Sequence, residues 1–529
     1  MRETDRALAH TYRGIPFDMR SARHTDVLAY LAEHARDRGT HPFISAVARD
    51  GGTRRLSYAE ADDLSHRLAG WLRESLGIAP GSAVALAPAN DAISVLATLA
   101  LLRAGYRTLL INPSDPPARA AQQMSTIGAE VLLAAPATEM SARATEIPEP
   151  SGLSRPASAV DRKPDPGDDA LYFGTSGSTA ASKLVAQSHR NVVSNGEGVR
   201  SLHGMRPGER IIGCLPICHV NGMHFTVLGT VISGAHAVLA HSFDVFRYPK
   251  LIDEYRPRVA SVVPNILDAL AEFWRGPHHT PDLRYFVTAA APLSATTAQR
   301  ILERTGHRVV QAYGLSETTN FSTTVPALSE PAYRRIMLES EIPPVGAAFP
   351  GNEVAVLRPD GSVAAHDEQG EICMRGHNVM DRYANNDEAT AAAFAGGWFH
   401  SQDLGFTTVE PETGATLFTI TGRLKNQAKV GGESVSLDEL DRALRNVPGV
   451  RDAACAALPD ELLGETVAAV VDADGNLADT DILETLRAVL PEFALPRRLV
   501  RTSPVPRTST GKVRRPEIAH LVSDVGGAG

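Results

Sequence analysis

Ala170-Leu171-Tyr172-Phe173-Gly174-Thr175-Ser176-Gly177-Ser178-Thr179-Ala180-Ala181-Ser182-Lys183 is the stretch on which the fold turns. Its first four residues read as a buried strand, which runs into glycines and small hydroxyls and ends on a cation. A loop of this kind wraps phosphates. Glycine lets the backbone approach, amides and hydroxyls donate to phosphate oxygens, and Lys183 offsets anionic charge. The G-x-x-x-x-G-K-[ST] spacing is missing, and on composition alone a polar Ser/Thr turn is an equal reading.

Upstream, Leu64, Leu68 and Leu72 recur at helical spacing between Ser57 and Gly77, and Ala83 to Leu86 form a short buried-strand pattern. The alternation continues with a helix over 92–103, a strand over 107–111, a helix over 117–127 and a strand over 130–134. Parallel sheets covered by helices are the expected result. Residues 145–168, rich in Pro, Ser and Asp, read as a surface connection. Downstream, 346–420 turns to short strands and Gly/Pro/Asn turns, and the tail carries a helix over 437–446 with strands over 451–458 and 466–471. The expected architecture is α/β. A large N-terminal domain (1–424) of helix-covered sheets plus a β-rich subdomain precedes a small mobile α+β C-terminal domain (425–529).

The chain of 529 residues is too long for one ordinary core. A net charge of −9 with interspersed signs speaks against capture of nucleic acid. The four cysteines, Cys214, Cys218, Cys373 and Cys455, lack metal-ligand or disulfide spacing and fit a reducing compartment. No apolar run reaches the roughly 20 residues of a membrane span. A cytoplasmic location is the expectation, with oligomeric state left open.

A second cluster, Gln311-Ala312-Tyr313-Gly314-Leu315-Ser316-Glu317-Thr318-Thr319, joins a strand end to groups suited to a nucleotide. Tyr313 offers a stacking face, Ser316 a donor, and Glu317 a hard oxygen ligand for Mg²⁺. Standing alone it reads as well as a capped strand end. Between the loop and this cluster stands Leu215-Pro216-Ile217-Cys218-His219, and after it come Gly397-Trp398-Phe399-His400-Ser401-Gln402-Asp403, Thr421-Gly422-Arg423-Leu424-Lys425 and Pro506-Arg507-Thr508-Ser509-Thr510-Gly511-Lys512. Together these segments resemble the adenylate-forming superfamily of acyl- and aryl-CoA synthetases, luciferases and peptide-synthetase adenylation domains, over almost the whole chain.

The resemblance implies an ATP- and Mg²⁺-dependent ligase that forms an acyl-adenylate and passes the acyl group to a thiol, with CoA as co-substrate. Thr175, Ser176, Gly177, Ser178, Thr179, Lys183, Tyr313, Gly314 and Ser316 then bind the nucleotide, Glu317 the metal, and Asp403 with Arg423 the ribose. Lys512 becomes the adenylation lysine and Lys425 the hinge. Lys429 serves the second half-reaction, Gly431 and Gly432 admit the thiol arm, and His219 stands beside the acyl pocket. The pocket segments, 219–225, 262–265 and 288–292, mix small apolar and polar groups and suit a small or aromatic acid. No Asp lies between Leu215 and Thr226, which separates the chain from enzymes that hold an α-ammonium there.

Ala180 and Ser182 stand where the family's loop has glycine and proline, Gln402 where glycine usually precedes the aspartate, and Asn426 where an acid is frequent. These departures keep two alternatives open. One is a biosynthetic adenylating enzyme with a carrier-protein or amine acceptor, or one activating another oxyacid such as nitrite. The other is a nucleotide-binding protein with a decayed site.

Overall fold

The computed structural model describes residues 3–524 other than 19, 137, 141, 157–162, 176–182, 277–278, 461 and 509–510. Two compact units make up the chain. The first takes Met1–Val354, Cys373–His400 and Glu410–Leu417; the second takes Ala355–Ile372, Ser401–Val409 and Phe418–Gly529. The expected strands between 346 and 420 are present, including Asn352–Leu357, Gly370–Gly376, Trp398–Val409 and Thr416–Arg423.

The first unit is built on two sheets. A seven-stranded sheet runs, edge to edge, Arg382–Tyr383, Leu184–Ser188, Asp169–Gly174, Arg107–Leu110, Ala83–Ala87, Leu132–Ala134 and Thr145–Glu146. Its last five strands are parallel, while Leu184–Ser188 is antiparallel to both neighbours. The 145–168 connection thus lends an edge strand at Thr145–Glu146. The nine-stranded sheet has a parallel centre of Arg308–Tyr313, Tyr285–Thr288, Val259–Val262, Arg210–Gly213, His236–Ala240 and Pro42–Val47.

Local chemistry explains the helices. Ser57 and Glu60 form a capping box at the start of Tyr58–Leu76, and Gly77 ends that helix in the left-handed region. Pro117 opens Pro117–Ile127 and Gly128 closes it. Ala92–Arg103 is apolar on nearly every side and buried all round, as a helix sandwiched within a core must be. It shares that core with Leu86 and Phe173 of one sheet and Ile44 and Leu239 of the other. Among the described residues no helix is long and apolar enough to cross a membrane.

In the second unit, Glu433–Ser436, Gln427–Val430, Gly464–Ala473 and Val450–Asp460 form an antiparallel sheet, and Arg498–Arg501 adds to Gly464–Ala473 in parallel. Leu440 and Leu444 of the helix Leu437–Arg445 pack on one face, and Ile518 and Val522 of Arg515–Asp524 on the other.

Candidate active site

In the first unit, Asp169–Gly174 and Leu184–Ser188 pair so that Leu184 faces Gly174, and the Thr175 N–H donates to the Lys183 carbonyl at 2.8 Å. The two ends of the phosphate loop are therefore clasped together. Ser176, Gly177, Ser178 and Thr179 lie outside the described residues. Arg119 donates to the Thr175 carbonyl at 3.3 Å. The Lys183 ammonium sits 4.8 Å from the centre of the Tyr383 ring, and the Tyr383 hydroxyl donates to Glu317 Oε1 at 2.8 Å. Burial, reinforced by the Glu317 charge, pushes the Tyr383 phenol far above its ordinary range, so it remains a donor.

Glu317 lies in the single 3₁₀ turn Ser316–Thr318 that follows the strand Arg308–Tyr313. The turn and the residues that follow it are held in a cradle of side-chain amides. Gln187 donates to the Ser316 carbonyl at 2.8 Å, Asn378 to Thr318 at 3.1 Å, Asn195 to Phe321 at 3.0 Å and Asn352 to Ser322 at 3.0 Å. The Met380 N–H donates to the Glu317 carbonyl at 2.7 Å. Gly314 is required by close approach, since a Cβ there would lie 1.6 Å from the Asn320 carbonyl oxygen. Tyr313 is buried and Ser316 half-buried. One half-exposed carboxylate beside an exposed ammonium is a donor set that suits phosphates carrying a hard divalent cation.

The Leu215–His219 turn is fixed by buried Asn90, which donates to the Leu215 and Ala240 carbonyls and accepts from the Ile217 N–H at 3.0 Å. His219 lies in the turn that leads into Asn221–Leu228, a wide helix with i→i+5 bonding. Its polar residues are already engaged on one side. Asn221 accepts from Ser261 at 2.9 Å, and His224 Nε2 bonds Gln187 Oε1 at 2.7 Å. Burial alone drives His224 down to about 3, so its ring is neutral. Asn265 is exposed on the helix Pro264–Phe273.

The second unit gathers the remaining residues. Asp403 is buried, 2% exposed, and forms an ion pair with Arg423 Nε at 2.7 Å. Just before it Gln402 adopts φ +66, a left-handed conformation that glycine tolerates best. Asp438 accepts from the Arg423 N–H at 2.9 Å, from Asn426 at 3.1 Å and from Arg515 at 2.5 Å. Arg515 also reaches buried Asp441 at 2.9 Å, whose carboxyl is raised by burial against the pull of Arg515. Lys425 is exposed in the turn between Thr416–Arg423 and Gln427–Val430.

Lys429 lies in a hairpin whose turn is Gly431-Gly432, both with positive φ, as a two-residue turn between twisted strands requires. Its ammonium bonds Ser434 and its N–H donates to Glu465. The Lys512 loop is closed at its base: the Thr508 N–H donates to the Lys512 carbonyl at 2.8 Å, and Arg507 binds Asp452 through two bonds of 2.8 and 2.7 Å. Sequence reasoning missed Tyr383, the amide cradle, Asp438 and Asp452. Asp438 and Asp452 had no local signal, whereas Tyr383 precedes the Asn-Asn pair that caps a helix.

Residues 31–384 match the model of the AMP-binding enzyme family. The chain belongs to this family. Residues 439–512 match the AMP-binding enzyme C-terminal domain. As a member of the AMP-binding enzymes, the chain is a ligase of the AMP-forming, acyl-CoA synthetase type. It is 28% identical to the oxalate–CoA ligase of Arabidopsis thaliana, over 88% of this chain and 93% of that one. It is 30% identical to the long-chain-fatty-acid–CoA ligase FadD13 of Mycobacterium tuberculosis, over 90% and 95%. Among solved structures, ATP-bound MatB from Rhodopseudomonas palustris superimposes with a TM-score of 0.82 at 25% identity, covering 95% of this chain and 99% of that one.

Proposed function

We propose that this AMP-binding enzyme activates a small or aromatic acid with MgATP, releasing pyrophosphate, and transfers the acyl group from its adenylate to CoA with release of AMP. The observation that carries the reading is the joining of Lys183, Tyr383 and Glu317, which links the cation at the end of the phosphate loop to a half-exposed carboxylate through one tyrosine. In the first step an acid oxygen attacks the α-phosphorus and the bond to pyrophosphate breaks, so the protein positions and neutralises charge rather than supplying a nucleophile. Thr175 and Lys183, with Ser176, Gly177, Ser178 and Thr179, receive the phosphates together with Ser316; Tyr313 and Gly314 shape the base site. Glu317 would hold Mg²⁺, which would neutralise phosphate charge when bound.

Asp403 accepts from the ribose hydroxyls, with Arg423 holding its carboxylate in place. Lys512 is the donor to charge that develops between the acyl oxygen and the α-phosphate, and the Arg507–Asp452 pair braces its loop. Lys425 is the pivot for the thiol step, in which Lys429 and the Gly431-Gly432 turn take part, and His219 lines the acyl pocket. A small or aromatic acid is supported by the small side chains of Ala289, Ala290 and Ala291 in the expected pocket segments.

AMP release across a panel of carboxylic acids and nitrite, with and without CoA or an amine, tests the reading. CoA-dependent thioester formation with one acid is expected; AMP release that ignores CoA and needs nitrite or an amine overturns it. Lys512→Ala should lower the adenylation rate on the order of 10²–10³-fold while ATP binding changes far less. Unchanged adenylation would remove Lys512 from the mechanism.

A further inference from the structure

We infer that Tyr383 is a positioning residue of the nucleotide site: its hydroxyl ties down one oxygen of Glu317 so that the other is presented to the metal, and its ring face seats the Lys183 ammonium. The inference rests on the proposed roles of Glu317 and Lys183.

A buried tyrosine hydroxyl needs a hydrogen-bond partner, and which partner it takes decides what the residue can do. Tyr383, 6% exposed, turns its hydroxyl to a carboxylate, at 2.8 Å, and offers its ring face to a cation at 4.8 Å. Both partners belong to the two motifs that converge here, and sequence separates them from Tyr383 by 66 and 200 positions. The register of the sheet produces the arrangement. Tyr383 faces Val185, so Tyr383, Val185 and Lys183 share one side of the sheet. The neighbouring Arg382 points to the opposite side, where it binds Asp169 through bonds of 3.0 and 2.5 Å.

The backbone of Tyr383 has no freedom to adjust. The Ala384 N–H donates to Leu184 at 2.8 Å, and the Tyr383 N–H donates to Thr390 Oγ1 at 3.1 Å. Thr390 is itself bonded to the Asn386 carbonyl, and the Asn386 side chain caps Asp387–Ala393. The same stretch grips Glu317 a second time, through Met380 and the Glu317 carbonyl. A carboxylate fixed at its backbone and at one oxygen has lost most of its rotational choice before any cation arrives. Outer partners of this kind tune a metal ligand, and their removal typically weakens metal binding by 10–100-fold.

Tyr383→Phe keeps the ring under Lys183 and removes only the donor. Calorimetric titration of the full chain with ATP at rising Mg²⁺ should show the Mg²⁺ needed for half-maximal ATP binding rising roughly tenfold. Binding of AMP without Mg²⁺ should stay as in the parent protein. Equal weakening of AMP and MgATP would reveal a merely structural role and overturn the inference. Glu317→Gln, measured in parallel, separates the two levels. If it leaves the Mg²⁺ dependence unchanged, the assignment of Glu317 falls; if it shifts the dependence and Tyr383→Phe does not, only Tyr383 falls. Thr390→Val, which retains hydroxyl and ring but loosens their backbone, should give a smaller shift in the same direction, and no shift there counts against the inference as well.

Discussion

The two units anchor their motifs by opposite means. In the first, the stretch from Ser316 to Ser322 rests in neutral amides, from Gln187, Asn195, Asn352 and Asn378, and on a glycine pressed against a carbonyl. In the second, Asp403, Asp438, Asp441 and Asp452 each meet an arginine. Amides satisfy buried carbonyls without bringing in charge, whereas ion pairs hold firmly only while both partners remain. The difference teaches where each unit should be fragile. Acid and buried-histidine chemistry should govern the first, and loss of a single charge the second.

Arg515→Met sharpens the contrast most. It leaves Asp441 buried without its arginine and should destabilise the second unit by about 3–5 kcal/mol. Trp71 and Trp274 lie in stretches that belong wholly to the first unit, whereas Trp398 opens a strand whose later part, Ser401–Val409, belongs to the second, so fluorescence in a Trp398→Phe background reports the first unit. The loss should appear in circular dichroism with the tryptophan transition in place, and Asp441→Asn should restore much of it. A tryptophan transition that moves in step would break the comparison.

Acid tests the other side. Burial, aided by the Arg55 and Arg210 charges, lowers His236 to about 4, while a histidine in an unfolded chain titrates near 6.5. Because the unfolded chain then binds the extra proton, the stabilisation is complete above about pH 6.5 and is lost as pH falls from there toward 4. Each such histidine takes about 1.4 kcal/mol per pH unit in that window. His236→Gln should flatten the tryptophan-monitored pH slope by that amount, and an unaltered slope would show that His236 contributes none of it.

The smallest effect concerns Gln402. Its φ of +66 places a side chain where glycine rests more easily, so Gln402→Gly should gain about 1 kcal/mol in thermal unfolding of the second unit. A loss would mean that contacts of the Gln402 side chain outweigh the strain of its left-handed backbone.

Much of this organisation was legible in the sequence because local rules acted alone. Ser57 with Gly77, and Pro117 with Gly128, punctuate their helices unambiguously. The helix over 92–103 reads from a largely apolar run interrupted by Ser94 and Thr98. What escaped reading depends on long-range pairing. The amides that cradle Ser316 to Ser322 come from positions as distant as Gln187 and Asn378, and nothing in their neighbourhoods marks them. The i→i+5 winding of Asn221–Leu228 likewise reflects packing: a Cβ at Gly222 would lie 2.4 Å from the Pro216 carbonyl oxygen, a contact no periodicity records. The six motifs announced themselves through residue type, but their mutual support did not.

The strand Arg382–Tyr383 is only two residues long, yet its two side chains serve opposite sides of the sheet. A single inserted or deleted residue between Asp381 and Ala384 would trade their places, sending the arginine toward Lys183 and the tyrosine toward Asp169. This stretch should therefore act as a keyway: tolerant of some exchange in chemistry but intolerant of any change in length.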